Sequence, residues 1–478
     1  MAPVSIDAEQ PENGAAVKKA EVAKTDTKVP CAKLEASMSA SEEAEKYLSR
    51  LSALTIEWMK RGEQSDSLVS RWASSSQLRD NMTLDLSEEA QSEDALFDNM
   101  RSILDNSINP YTGRFLDKLY SAPRPIGLAA ENLLSTLNAN GHVMSASPML
   151  CLAEETCVAG LAKLCGWNTE EADGLTMPGG SSSNTLAVQT ALQNRFPAFR
   201  KQGILGIMQD LMREGREVNA CRPLLFTSTQ SHYSLDKAAM GCGLGLESVV
   251  KVPCDAQGRM DVAALERLVI AAKDGDAAPE RRGVPFFVNA TSGSTVLGSF
   301  DNLEAISKLC QRYQLWLHVD GSWGGPVLFS EKWSKLMSGI DKCDSLAINP
   351  HKLLNAPLQC SFAVFKRGSS LEANSLDAGY LFHTDSQEGI EFTSRSRHLA
   401  RRENPGALAY GCGRRGDALK LYLLWNRRRF AVDFAPLPGE IGEFIRLVVH
   451  PQTSFTDLAD LVQDIANIGA EYFRTTFG

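Results

Sequence analysis

The chain has 478 residues, more than one simple core usually needs, and its 43% apolar and 22% charged residues are typical of a globular protein. A net charge of −9 argues against nucleic acid and anionic membranes as main partners. The 11 cysteines lie singly, without zinc-site spacing or a C-x-x-C pair, which favours free thiols in a reducing compartment.

The N-terminal segment, residues 1–40, is predicted to be a disordered tail because it has almost no large apolar side chains. It contains no arginine and no apolar stretch like that of a secretion signal, so the cytoplasm is the expected location. Ser39 and Glu42 have the spacing of a capping box, which predicts the start of a helix. Residues 41–124 are therefore predicted to form an N-terminal helical region.

From about residue 125, short apolar runs alternate with amphipathic segments, which predicts a mostly parallel sheet covered by helices. The predicted strands are 223–228, 285–290, 315–319 and 361–366, and the predicted helices include 184–194 and 301–313. Ligands of such α/β sheets bind where the carboxyl ends of the strands meet. We therefore assign residues 125–380 to a large ligand-binding domain.

The C-terminal part is more polar and less regular. Residues 381–412 are rich in Ser and Arg and are predicted to form a mobile loop. A helix at 417–428, a strand at 444–449 and a helix at 453–473 would make up a small domain over residues 413–478. No apolar run in the sequence is long enough to span a bilayer, so no membrane partner is expected.

Two segments carry small or polar residues that could face a ligand. Residues 177–184, M-P-G-G-S-S-S-N, precede a helical pattern, where small residues let backbone N–H groups approach an anion. A Gly/Ser turn that merely begins a helix looks the same. His232 follows a predicted strand, where it could stack on a flat ring, act as an acid or base, or cap a helix.

Two further segments carry a carboxylate and an amine. Asp320 follows an apolar strand, where it would either cap a turn or pair with a cation such as a protonated pyridine nitrogen. Lys352 follows a short apolar run; most lysines are solvated, but in a dry pocket the pKa falls and the free amine can form an imine. A phosphate cradle, a stacking imidazole, a carboxylate and such a lysine are the groups that pyridoxal 5'-phosphate (PLP) requires.

The sequence resembles the group II PLP-dependent amino-acid decarboxylases, and within them the glutamate and cysteine sulfinate decarboxylase branch. The matching motifs, in chain order, are P-G-G-S-x-S-N, H-x-S-x-x-K, G-S-T-V-L-G-x-F-D, H-V-D-x-x-W-G-G and N-P-H-K. The resemblance covers roughly residues 85–430 and resumes near 440–470. It implies the aspartate-aminotransferase-like fold (fold type I), with a large domain, a shortened C-terminal small domain, and a homodimer whose active site lies at the interface.

Matched position by position, the resemblance implies that Lys352 is the Schiff-base lysine, that Asp320 pairs with the pyridine nitrogen and that His232 stacks on the ring. The other implied cofactor contacts are Ser182, Ser183, Thr295, Asn349 and His351. Arg446 matches an arginine that binds a substrate carboxylate, and Lys118 and Tyr120 lie in the segment that lines the substrate pocket.

The sequence also departs from the family pattern. The branch usually has glutamine in place of Lys118, which either adds a cation that favours an acidic substrate or points into solvent. Gly321 and Ser322 replace two alanines. The region between Trp425 and Arg446 is much shorter than in the family, and no tyrosine lies between Tyr380 and Tyr410, where the family carries its proton-donating tyrosine.

The leading interpretation is a decarboxylase of glutamate, aspartate or cysteine sulfinate, with an amino acid as its small-molecule partner. Two other outcomes on the same scaffold stay open, namely decarboxylation coupled to oxidative deamination and decarboxylation of an aromatic amino acid. A third alternative is a catalytically impaired paralogue with a binding or regulatory role, which the intact Lys352, Asp320 and His232 disfavour and the shortened C-terminal region favours.

Overall fold

The computed structural model describes residues 38–70, 73–82, 86–116, 118–274, 282–376, 404–427 and 455–477. These residues fall into two units, one ending at Glu57 and the other starting at Trp58. Helix α1, Ala40–Gly62, begins with the predicted capping box. The Ser39 N–H donates to Glu42 Oε2 at 2.8 Å, and the Glu42 N–H donates to Ser39 Oγ at 3.3 Å, so two of the free amides at the helix start are satisfied.

The remaining helices of the described chain precede, connect or follow the strands of one sheet. They are α2 Ser75–Asn81, α3 Glu93–Asp105, α4 Pro125–Leu137, α5 Pro148–Leu164, α6 Gly180–Arg195, α7 Phe199–Arg213, α8 Ser234–Gly241, α9 Val262–Asp274, α10 Leu303–Tyr313, α11 Gly368–Leu371, α12 Ala418–Asn426 and α13 Phe455–Phe477. The start of α10 shows the local logic, because the Asn302 side chain accepts a hydrogen bond from the Ala305 N–H at 3.1 Å. Leu303, Ile306 and Cys310 then recur at helical spacing and are buried against the sheet.

Within the described residues, the sheet has seven strands in the order β1-β7-β6-β5-β4-β2-β3. The strands are β1 Asp173–Met177, β2 Pro223–Ser228, β3 Val249–Val252, β4 Val284–Thr291, β5 Trp316–Gly321, β6 Ser345–Ile348 and β7 Ser361–Phe365. Strands β3, β2, β4, β5 and β6 pair in parallel, whereas β7 is antiparallel to both of its neighbours, β6 and β1. Strand β1 therefore points the same way as the parallel strands.

Both faces of the sheet are covered, and the strand residues are buried at nearly every position. Successive residues of β2 enter different cores: Leu224 and Phe226 belong to one cluster with residues of α5, α9, α10 and α12, whereas Leu225 belongs to a second with residues of α6, α7 and α8. Each of these side chains is fully buried, which stabilises the fold by roughly 1.5–3 kcal/mol apiece. The two buried cores hold the sheet in place, and the sheet in turn positions the polar residues at the ends of its strands.

The predicted α/β class and the mostly parallel sheet are confirmed. The four predicted strands correspond to β2, β4, β5 and β7, and β2 has the predicted bounds. Strands β1, β3 and β6 were not predicted. The strand predicted at 444–449 and most of the loop predicted at 381–412 lie outside the described residues, and the proposed domain boundaries stay predictions.

The described cysteines carry free thiols, and most of them are buried. Burial raises the pKa of thiols such as Cys165 and Cys310, so these behave as small apolar core residues. Within the described ranges, no cluster of His, Cys, Asp and Glu side chains could hold a metal ion. In the same residues, no helix combines the length and the apolarity needed to cross a membrane.

Candidate active site

A cavity lies at the edge of the sheet where the carboxyl ends of the same-direction strands meet, as the parallel topology predicts. Its lining residues are Gly180, Ser181 and Asn184 after β1, His232 and Ser234 after β2, Thr291, Gly293 and Thr295 at or after β4, Asp320, Ser322 and Trp323 at or after β5, and Asn349, His351 and Lys352 after β6. The structure thus brings Lys352, Asp320, His232, Thr295, Asn349 and His351 together in one cavity.

Asp320 is a buried carboxylate held by two hydrogen bonds. It is 4% exposed, its Oδ1 accepts from the Ser322 N–H at 3.0 Å, and its Oδ2 accepts from Asn184 Nδ2 at 2.9 Å. Burial by itself would raise the pKa of Asp320, but these hydrogen bonds and the nearby Lys352 amine hold the pKa below its usual value. The carboxylate is therefore ionised, and a protonated ring nitrogen in the cavity would meet a negative partner.

Lys352 follows β6 in a short turn, with its N–H bonded to the Asn349 carbonyl at 3.0 Å. Burial lowers the pKa of the Lys352 amine, and the Asp320 charge offsets part of this effect. A lowered pKa increases the fraction of uncharged amine, which is the nucleophilic form. Lys352, the predicted Schiff-base lysine, thus lines the cavity and has an amine with a lowered pKa.

His232 lies just before α8, which begins at Ser234 rather than at the histidine. The Ser234 N–H donates to His232 Nδ1 at 3.2 Å, so the neutral ring carries its proton on Nε2. Burial lowers the pKa of His232, the Asp320 charge raises it, and the charges of Lys352 and Lys237 lower it further. The two interpretations of His232 coexist, since it accepts a bond from the helix start and also lines the cavity.

The glycine-rich turn passes into α6 at the cavity. Gly179 has φ 107°, and a Cβ on Gly180 would lie 2.4 Å from Ser322 Oγ and 2.8 Å from Asn349 Nδ2, so no larger residue fits there. Ser181 lines the cavity and Ser183 is buried with its Oγ directed to the Gly179 carbonyl at 3.5 Å. Ser182 lines a second, wider cavity of about 640 Å³.

These residues fit the cofactor that the resemblance implies. The N-terminus of a 16-residue helix with a bare glycine turn suits a phosphate group. Asn349 is 2% exposed, and its Oδ1 has no hydrogen-bond partner within the described chain, as expected where a ligand supplies one. His351 is buried with Nδ1 2.7 Å from the Cys360 carbonyl oxygen, and burial lowers its pKa to about 4.

Of the predicted substrate residues, Lys118 and Tyr120 do not line this cavity. Lys118 is exposed, and Tyr120 is 37% exposed with its ring centroid 6.1 Å from that of Phe115. Arg446 lies outside the described residues. Tyr410, beside the region where the family tyrosine is missing, lines the second cavity instead and contacts Cys242.

Two residues at the site were missed by the sequence reasoning. Asn184 ends the glycine-rich motif and contacts Asp320, 136 positions away, while His318 precedes Asp320 on β5 and contacts Asn184 Oδ1 through its Nε2 at 3.0 Å. A polar residue at an otherwise apolar position of a central strand was the available signal for His318. Asn184 gave no comparable signal, because Asn at a helix start is ordinary.

The comparisons with known proteins agree with this geometry. The conserved domain described as pyridoxal-dependent decarboxylase matches residues 76–430. The L-aspartate decarboxylase dtxS4 of Metarhizium robertsii is 39% identical over 340 residues, covering 71% of this chain and 61% of that protein. The cysteine sulfinic acid decarboxylase of Rattus norvegicus is 36% identical over 374 residues, covering 77% of this chain and 69% of that protein.

Solved structures give the same relationship. The crystal structure of mouse CSAD matches with a TM-score of 0.69 and 33% sequence identity, covering 81% of this chain and 74% of that chain. The chain thus spans about three fifths of the length of the fungal relative and about three quarters of the mouse structure.

Proposed function

Because the chain belongs to the pyridoxal-dependent decarboxylase family, we propose that it removes carbon dioxide from an acidic L-amino acid, with PLP held on Lys352. The match over residues 76–430 confirms the predicted family, and with it the fold type and PLP as the cofactor class. The observation that carries the proposal is that Lys352, Asp320 and His232 line one cavity at the carboxyl edge of the sheet.

Bound PLP supplies an electron sink for the electrons that remain when a carboxylate leaves as carbon dioxide. The protein's part is to bind and to control protons. Lys352 offers an amine whose pKa burial has lowered, and Asp320 holds a proton at the ring nitrogen through its negative charge. His232 offers a flat imidazole with Nε2–H available, and the start of α6 with Ser181, Thr295 and Asn349 offers donors for a phosphate.

The substrate class is supported by the names of the two relatives, which act on aspartate and on cysteine sulfinic acid. We propose that Arg446 binds the substrate carboxylate and that Lys118 favours an acidic side chain. Both roles are proposals, because the Lys118 side chain is exposed and Arg446 lies outside the described residues.

We also propose a cytoplasmic homodimer. Tyr233 and Val296 follow the cavity residues His232 and Thr295 directly and are 56% and 49% exposed. Apolar surface beside a ligand cavity is typical of an interface, and a second copy would cover it. Light scattering of wild type and of Val296→Glu tests this: we expect a dimer that the charge weakens, and a wild-type monomer at high concentration would contradict it.

The covalent assignment is tested by borohydride reduction of the PLP-loaded protein followed by peptide mapping. The label should lie on the peptide that contains Lys352, and Lys352→Ala should lose it. The matched control is Lys308→Ala, at an exposed position of α10, which should label and turn over as wild type. A label on any other lysine would refute the assignment.

The reaction is tested by carbon dioxide release from glutamate, aspartate, cysteine sulfinate and one aromatic amino acid. Release from at least one acidic substrate is expected, and Asp320→Ala should lower turnover by about a thousandfold, because the charge partner of the ring nitrogen is gone. Product analysis under air and under argon separates plain decarboxylation, which yields amine in both, from the oxidative alternative, which yields aldehyde only in air. Release from the aromatic substrate alone would overturn the proposed substrate class, and no release at all would favour the impaired paralogue.

A further inference from the structure

We propose that His318 and Asn184 are positioning residues that hold the Asp320 carboxylate in one orientation as a hydrogen-bond acceptor, an inference that rests on the proposed function of Asp320. Neither side chain carries the chemistry, and each acts through Asp320. A chain of hydrogen bonds connects Asp320 through Asn184, His318 and Ser345 to Trp316.

From the cavity end, the ionised Asp320 can only accept, so its Oδ2 must face the amide nitrogen of Asn184. The same nitrogen donates its second proton to Ser234 Oγ at 2.8 Å. Both protons of the amide are then used, and Asn184 Oδ1 is turned toward His318 Nε2, 3.0 Å away. An amide oxygen only accepts, so His318 must carry its proton on Nε2.

From the far end, Trp316 Nε1–H can only donate, and it lies 2.9 Å from Ser345 Oγ. Ser345 Oγ is also 2.8 Å from His318 Nδ1. Since the buried imidazole is neutral and its single proton is on Nε2, Nδ1 accepts the hydroxyl proton of Ser345. Burial lowers the pKa of His318 to about 4, which agrees with a neutral ring. The bonds at the far end therefore agree with the direction that Asp320 and Asn184 set at the cavity end.

Asn184 and Asp320 line the cavity, but His318 and Ser345 do not, and bulk water does not reach these two residues. His318 is 0% exposed, Asn184 and Ser345 are 1% exposed, and Asp320 is 4% exposed. If His318 lost its Nε2–H, the Asn184 amide could rotate and present its oxygen to Asp320, which would put two acceptors in contact. The titratable groups that face Asp320 are His318 on β5, Lys352 after β6 and His232 after β2, and His318 is the one that reaches the carboxylate through a side-chain amide.

The test is a pair of substitutions at one position, His318→Gln and His318→Asn. A glutamine amide places its N–H donors near the Nε2 position, whereas an asparagine amide reaches only as far as Nδ1. We expect His318→Asn to weaken PLP binding to the full-length chain by about tenfold to a hundredfold, because a rotated Asn184 amide no longer donates to the charged Asp320. His318→Gln should stay within about threefold of wild type.

Turnover gives a second readout. His318→Asn should lower kcat by a similar factor and leave KM within about threefold, since His318 acts on Asp320 through Asn184 and does not itself line the cavity. If His318 had a purely structural role, both variants would instead be destabilised to a similar extent, and their kcat values would not differ.

Nitrogen NMR of His318 in the wild-type chain needs no variant and no activity. A protonated Nε2 with an unprotonated Nδ1 near neutral pH supports the proposal, and a proton on Nδ1 overturns it, even if His318→Asn fails to fold. A wild-type chain that binds no PLP would overturn the proposed function and this inference with it. A wild-type chain that binds PLP no better than a folded His318→Asn variant would overturn the inference alone.

Discussion

A buried lysine outside the cavity, Lys420 on α12, gives a quantitative test of the structure. Its side chain is 0% exposed, and its Nζ lies 2.9 Å from Asp417 Oδ1 and forms a close ion pair with Glu131. The same amine donates to the Gln359 carbonyl at 2.9 Å. Gln359 belongs to the segment after Lys352, so Lys420 joins α12 and α4 to the loop that follows the cavity lysine.

Lys420→Met keeps the length of the side chain and removes the charge. Removing one partner of a buried ion pair costs about 3–5 kcal/mol, because the remaining charges lose their compensation in a poorly hydrated place. Arg415 still pairs with Glu131 and lies 3.4 Å from Asp417, which limits the loss. We therefore expect the free energy of unfolding to fall by about 3 kcal/mol, the lower end of that range.

Urea unfolding of wild type, Lys420→Met and a control measures this loss. The control is Lys342→Met, because the Lys342 Nζ is 3.6 Å from Glu304 Oε1 and both side chains are partly exposed; it should stay within about 0.5 kcal/mol of wild type. Adding Asp417→Asn to Lys420→Met should recover part of the loss, since a neutral cluster is less costly than an uncompensated one. A loss under about 1 kcal/mol for Lys420→Met would refute the ion-pair reasoning.

Three further predictions concern pH, backbone and specificity. Burial lowers the pKa of His318 and His351 from 6.5 to about 4, so the unfolded chain takes up protons first as the pH falls. The free energy of unfolding should therefore be highest above pH 6.5 and fall between pH 6.5 and about 4, by at most about 3 kcal/mol per histidine. In a pH series of urea titrations, His318→Gln should reduce the slope of this fall. Gly293→Ala should lower the free energy of unfolding by at least about 2 kcal/mol, because φ is 84° and the new Cβ would lie 2.7 Å from the Gly324 nitrogen. Gly241→Ala is the control and should not, because open space surrounds that position. Equal urea midpoints for the two variants would contradict this prediction. Lys118→Gln should change the ranking of glutamate, aspartate and cysteine sulfinate in kcat/KM without changing PLP affinity, and an unchanged ranking would mean that Lys118 points away from the substrate.

The sheet could be predicted where a strand carries its own signal. Strand β2 begins with the apolar run Pro223–Phe226 and ends with Thr227 and Ser228, and its predicted bounds are the observed ones. Strands β1, Asp173–Met177, and β6, Ser345–Ile348, have five and four residues and contain Gly, Ser or Ala. They are strands because both pair with β7, and that pairing is a tertiary fact which a local pattern does not contain.

The sequence predicted which types of residue form the site and their order along the chain. It did not predict which serine faces the cavity or which residues contact Asp320. Helix α6 begins at Gly180, so successive serines point in different directions, and Ser181 faces the cavity while Ser182 lines another one. A motif does not fix that rotation. Asn184 and His318 could not be assigned to Asp320 from the sequence because only the folded sheet brings them together.

The antiparallel pairing of β1 with β7 at one edge of the sheet can form only late in the synthesis of the chain. Asp173 of β1 pairs with Phe365 of β7, so β1 leaves the ribosome long before its partner exists. At translation rates of about 5–20 residues per second, the delay is on the order of 10–40 seconds. Throughout that interval β1, whose five residues are all buried in the folded chain, has no partner strand, and an unpaired strand edge of this kind can seed aggregation. Strand β7 then pairs with β1 on one side and with β6 on the other, which joins β1 to the rest of the sheet. Slowing translation between β6 and β7 should therefore increase the dependence of this protein on chaperones.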